Sequence, residues 1–162
     1  MSYLDFLNEH HIPRGFPSSI IAANEDIFNG SPASDVINMS EWRGLLVICA
    51  KNTGAVGTAA FTALSCDDTT PNTTTAIAFR ERHCTASDTY SAWADTASTG
   101  KVITAGADEV WEFFIDSRDL SGTDKYIQAK FTEDDSTAVD GHIITMLIGP
   151  RYGKDVPDSV LT

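Results

Sequence analysis

Three observations predict an all-β fold, an antiparallel β-sandwich of jelly-roll-like type with a short N-terminal arm. From residue 35 onward nearly every apolar run is short and rich in β-branched or aromatic residues. The runs are bounded by clusters of Gly, Asn, Asp, Ser or Thr, which favour turns, and about eight of them recur at spacings of roughly 8 to 15 residues. No helical period intervenes and no repeat of roughly 20 to 50 residues is present, which argues against layered α/β folds, solenoids and propellers.

The elements follow in order. Ser2 and Asp5 stand at capping-box spacing, with Tyr3, Leu4, Phe6 and Leu7 able to line one face of a helical turn or two, too short to be stable without a docking surface. Ser18 to Ile27 reads as an opening strand, Asn29-Gly30 as a turn and Ser31 to Ser34 as a loop. Gly44 to Lys51 (GLLVICAK) reads as a buried strand, Asn52-Thr53-Gly54 as a hairpin turn and Val56 to Leu64 as the returning strand. After a polar turn over Ser65 to Asn72, a third strand spans Thr74 to Arg82, with Ile77, Phe79 and Glu81 on one face. Ser91 to Thr104 reads as a loop ending in a short strand at Lys101 to Thr104. Glu109 to Asp116 places Trp111, Phe113 and Ile115 inward, and Lys125 to Thr132 does the same with Ile127, Ala129 and Phe131. His142 to Gly149 (HIITMLIG) is nearly all apolar and reads as a central strand covered on both sides.

The 162 residues fit one domain, divided as an arm over 1–17, a sandwich over 18–152 and an extended tail over 153–162. Area scaling puts about two-thirds of the chain's surface inside on folding, enough for an unaided core. Eleven Lys and Arg against 23 Asp and Glu leave a formal charge of −12, which repels a phosphate backbone and argues against nucleic acid as a partner. Cys49, Cys66 and Cys84 are odd in number and widely spaced, so they outline no complete disulfide framework and favour a reducing compartment. Cys49 reads as a core residue, whereas Cys66 precedes an acidic turn and is expected nearer the surface. The start lacks a basic region and an apolar core of the secretory kind, and no apolar run approaches the roughly 20 residues that span a bilayer, so no membrane partner is expected.

A search for chemistry returns little. None of the 14 serines lies in a G-x-S-x-G elbow, no Cys or His pair has zinc-ligand spacing, and the acidic clusters do not match a calcium loop. His83 and Cys84 are strand neighbours and point to opposite faces. The glycines of Asn52 to Gly57 precede a strand rather than a helix, which suits a hairpin and not a phosphate loop. No catalytic residue, cofactor or metal is therefore expected. Of the aromatics, Trp111 is expected to fill the core, Trp42 to mark a strand start, and Trp93, in the least regular loop, to make an exposed contact.

From Asp35 the chain reads DVINMSEWRGLLVICAKNTGAVGTAAFTALSCDD, later VWEFFIDSRDLSGTDKYIQAKFT, and finally HIITMLIGPRY. The ordered stretches Val36 to Gly44, Ser65 to Asp68, Ile115 to Leu120, Lys125 to Thr132 and Gly149 to Tyr152 resemble a divergent class of small virion proteins of tailed phages and prophages. The chain departs from that pattern in its N-terminal arm and in Thr69-Thr70-Pro71, which replace a glycine turn. The resemblance implies a decoration or cement protein of the capsid exterior. Such proteins clamp neighbouring major capsid subunits, often as a homotrimer at three-fold positions, after assembly in the host cytoplasm.

Under that reading Tyr3, Leu4, Phe6, Leu7 and Phe16 supply apolar anchors for the capsid or a sister subunit, together with Trp93; the alternative is that the arm packs on its own domain. Two other functions stand beside it. One is a neck or tail component present in few copies, the other a carbohydrate-binding sandwich for host attachment that stacks sugars on Trp93 and Tyr90.

Overall fold

The computed structural model describes residues 10–13, 16, 26–52, 57–84, 89–103, 108–135 and 137–151. These residues form β1 (His10–His11), β2 (Ile37–Asn38), β3 (Trp42–Lys51), β4 (Ala59–Cys66), β5 (Thr74–Ile77), β6 (Phe79–Cys84), β7 (Ala94–Thr96), β8 (Lys101–Ile103), β9 (Val110–Asp116), β10 (Tyr126–Glu133) and β11 (Gly141–Pro150), with a 3-10 turn at Ser117–Asp119. A six-stranded sheet runs β1-β11-β3-β9-β6-β7, and a five-stranded sheet runs β2-β10-β4-β5 with β8 also on β4. Every pairing is antiparallel, so the fold is the expected all-β sandwich. No helix among the described residues is long and apolar enough to cross a membrane. The strands at the sheet margins, β1, β2, β5, β7 and β8, are two to four residues long, which leaves little free edge for unwanted pairing.

Period-two patterning makes these strands. Trp111, Phe113 and Ile115 on β9 and Ile127, Ala129 and Phe131 on β10 all turn inward, as the sequence predicts. Phe61 on β4 joins the two layers. Its ring stacks on Phe113 at 4.0 Å, meets Phe79 edge-on at 5.0 Å and lies 5.1 Å from Phe131. Trp42 and Trp111 are both buried, at the start of β3 and in the core.

Four expectations about the strands need correction. The hairpin expected between β3 and β4 does not form: β3 pairs with β11 and β9 in one sheet, and the chain crosses to the other, where β4 pairs with β10, β5 and β8. The strand expected over Thr74 to Arg82 is two: β5 pairs with β4 in one sheet, and beyond Ala78 the chain continues as β6 beside β9 in the other. Ile77, Phe79 and Glu81 keep their shared inward parity through this corner, which is why the pattern reads as continuous. The loop expected over Ser91 to Thr104 contains β7, whose sequence Ala-Asp-Thr carries no apolar period. The strand expected to be covered on both sides, β11, is covered on one: Ile143, Thr145 and Leu147 are buried, while Ile144 is 45% exposed.

The arm boundary also shifts. β1 pairs with β11 at the margin of the six-stranded sheet, Thr145 Oγ1 donates to the Pro13 carbonyl at 3.1 Å, and the Phe16 ring lies 5.8 Å from Phe131. Residues 10–13 and Phe16 thus belong to the sandwich. Tyr3, Leu4, Phe6 and Leu7, the capping box, most of the expected strand over Ser18 to Ile27 and the tail over 153–162 lie outside the described residues. Of the opening segment, Asp26 onward is described: Ile27 and Phe28 are buried and the expected turn is closed by Ser31 N–H donating to the Phe28 carbonyl at 3.0 Å.

Buried charges tie the far end of the sandwich together. Glu109 accepts from Trp111 Nε1 at 3.0 Å, and the buried Lys51 donates to the Gly57 carbonyl at 3.4 Å. Burial pushes the Lys51 ammonium down from its ordinary value, and Glu109 opposes that shift.

Candidate docking surface

The two sheets differ on their outer faces. On the five-stranded sheet the outward residues include Gln128, Lys130 and Thr132 of β10, opposite Leu64, Thr62 and Ala60 of β4, a mixed surface on which Val102 of β8, opposite Ala60, is exposed. On the six-stranded sheet the strand register instead builds rows of apolar side chains. Met146, Leu46 and Phe114 form one row across β11, β3 and β9 that runs on to Arg80 of β6, and Ile144 and Ile48 begin the next, which runs through Glu112 to Arg82. Ala50 and Val110 continue the face toward its far end. All but the exposed Ile144 are half-buried. An antiparallel sheet needs one apolar face to close a sandwich; this one has two.

At the margin of that face the chain builds a rigid cluster of large side chains. The Arg82 guanidinium lies 4.5 Å from the Tyr90 ring centre and 4.7 Å from that of Trp93. Arg82 Nε donates to Glu112 at 2.7 Å, and Trp93 meets Phe114 edge-on at 6.4 Å, joining the cluster to the apolar rows. Burial, then the neighbouring Glu112 carboxylate, raises the Tyr90 hydroxyl above its ordinary pKa. Trp93 is 42% exposed and Tyr90 36%, so the cluster keeps an open side. Trp, Tyr and Arg are the residue types that most often carry binding energy at protein interfaces.

Beyond the strand ends lies a pocket of about 560 Å³ lined by Arg43, Ser117, Arg118, Gly149, Pro150 and Arg151. Arg118 grips Asp116 through two bonds, of 3.0 and 2.6 Å, and these bonds hold the Asp116 carboxyl below the usual carboxylate range.

Trp93, expected to make an exposed contact, is exposed, with Tyr90 beside it. Phe16 is not: at 8% exposure it is part of this chain's own core, held against Phe131, and is no free anchor for a partner. Cys66, expected nearer the surface, is buried, as are Cys49 and Cys84. His83 and Cys84 do face opposite ways: the His83 ring stacks on Trp111 at 4.4 Å, while the side chain of Cys84 lies on the other side of the strand. Sequence reading missed Arg82, Phe114 and the outward apolar rows. The signal was present in β11, whose one polar residue between Ile143 and Ile148 is Thr145, on the inward parity.

Compared with known proteins, the chain matches no protein family, no curated protein and no solved structure.

Proposed function

We propose that this chain is a non-enzymatic virion structural protein, a capsid decoration protein that binds the outer capsid surface and bridges neighbouring major capsid subunits as a homotrimer. The observation that carries the reading is the apolar outer face of the six-stranded sheet, continued by Phe114 into the Trp93–Arg82–Tyr90 cluster. On a chain carrying −12, an apolar face that closes no core of its own is an aggregation hazard unless a partner covers it. The resemblance of the ordered strand and turn pattern to that of small phage virion proteins supports a capsid partner, and the acidic surface suits a position outside the shell, away from packaged DNA. Three copies about one axis make each capsid contact three times, and avidity of this kind exceeds single-site affinity by roughly 10² to 10⁴.

Quantitative mass spectrometry of purified particles tests the reading. Copy numbers on the order of hundreds, in fixed ratio to the major capsid protein, are expected for a cyclic decoration protein. About a dozen copies or fewer would move the protein to the neck or tail, and absence from the particle would overturn the virion reading.

A second reading, carbohydrate binding, draws on the exposure of Trp93 and Tyr90 side by side. Arg82 stands against both rings and occupies a face of each that a sugar would need, which favours the protein-docking reading.

A further inference from the structure

We infer that the arginine-lined pocket is a carboxylate-binding site whose occupant is the Asp67-Asp68 turn of a second copy of this chain. The inference deepens the assembly part of the proposed function and needs only self-association, not a capsid.

The pocket combines fixed cations with unused donors. Arg151 is held in place by its backbone N–H on the Glu41 carbonyl at 2.7 Å, its Nε on the Trp42 carbonyl at 3.1 Å and its Nη2 on Ser117 Oγ. Arg118 already has Asp116 as its carboxylate. Among the described residues neither Arg43 nor Arg151 has a carboxylate within ion-pair distance. A guanidinium offers five N–H donors in a planar fork that matches a carboxylate, so two such groups beside one pocket call for more than one acidic side chain. The pocket is large enough to admit a turn carrying them.

A second copy provides such a group. Asp67 and Asp68 are exposed, and the turn is braced internally: Thr73 Oγ1 donates to Asp67 Oδ2 at 2.8 Å and the Thr70 N–H donates to Asp68 Oδ1. One oxygen of each carboxylate is left without a hydrogen bond among the described residues. The turn follows β4 at the end where Cys66 faces Tyr126, and the pocket lies where β3 begins and β9 and β11 end. The loop from Ser117 to Lys125 crosses that same end between the sheets, with the Ser121 N–H and Asp124 both bonded to Ser65 Oγ. Acidic turn and basic pocket thus occupy one end of the sandwich but belong to different sheets. A head-to-tail ring requires this arrangement, two unlike surfaces at one level around the axis.

Sedimentation velocity on the full chain tests the contact, with circular dichroism melts confirming that each variant is folded. The wild-type protein associates at about 150 mM salt, where a screening length of about 8 Å damps the long-range repulsion between two copies of charge −12 and leaves close Arg–Asp contacts effective. Arg43→Glu alone, and Asp67→Lys with Asp68→Lys alone, each weaken association about tenfold or more, because like charges then face one another. Combining the three substitutions in one chain restores it, since the new carboxylate at position 43 then faces the new ammonium groups at positions 67 and 68 in every contact of the ring. A wild-type protein that stays monomeric, association that survives either variant, or a combined variant that stays dissociated would each overturn the inference. Copy number in particles is a separate measurement, so this contact and the virion reading fail independently.

Discussion

Cys49 and Cys66 show how burial outweighs local sequence at a single residue. Burial pushes the Cys49 thiol up to about 12, with Lys51 opposing, and burial reinforced by Asp124 and Asp67 pushes Cys66 up to about 11. A thiol whose folded pKa lies above its unfolded value holds its proton more tightly in the native state. The resulting stability is complete below the ordinary value of 9.0 and is lost as pH rises from there toward the folded values. We therefore expect neither thiol to react with iodoacetamide at about pH 8 in the native protein, and both to react in denaturant, because the thiolate is the nucleophile. We also expect the urea midpoint to fall as pH rises through that window; rapid native labelling, or a flat midpoint, would contradict the assignment. Cys49 was legible as a core residue because it sits inside an apolar strand. Cys66 was not, because the acidic turn after it hides that it is the last residue of β4, with Tyr126 of β10 opposite.

At the level of elements, parity was legible and partnership was not. The inward residues of β9 and β10 follow from alternation alone, since one apolar face per strand leaves a single choice. The corner at Ala78 and the pairing of β1 with β11 depend on which sheet receives each segment, and no period reports that. The strap formed by residues 10–13 hangs on few interactions, chief among them the β1 ladder and the bond from the buried Thr145 to Pro13. Thr145→Val removes the hydroxyl and leaves the Pro13 carbonyl without it, which should cost about 1 to 3 kcal/mol. Urea unfolding measures that loss. Hydrogen exchange should show the His10 and His11 amides losing protection ahead of the β3 and β9 amides, and equal loss everywhere would show that the strap is not a separate unit.

For the whole molecule, the contrast between the two outer faces is the functional signal. Ile144 projects outward from β11 at 45% exposure, so Ile144→Asp removes no core contact and should change stability by no more than about 0.5 kcal/mol. In the capsid it would place a charge within an apolar interface. Particles assembled with Ile144→Asp are expected to carry about tenfold fewer copies than wild type, while the melting temperature of the isolated protein stays nearly unchanged. Undiminished copy number would remove this face from the docking mechanism.

The sequence alone determined the all-β class, the inward parity of the long strands, the burial of Trp111, the place of Trp42 at a strand start and the acidic character of the surface. Each of these depends on local period, residue type or composition. Only the tertiary structure decided that Phe16 is core, that Ile144, Met146, Leu46 and Phe114 form one continuous outward face, and that Arg82 stands between Tyr90 and Trp93. Those facts depend on strand order and register. Both are set by the joint packing of segments far apart in the chain, and short apolar runs leave many pairings open until the two sheets close on a shared core.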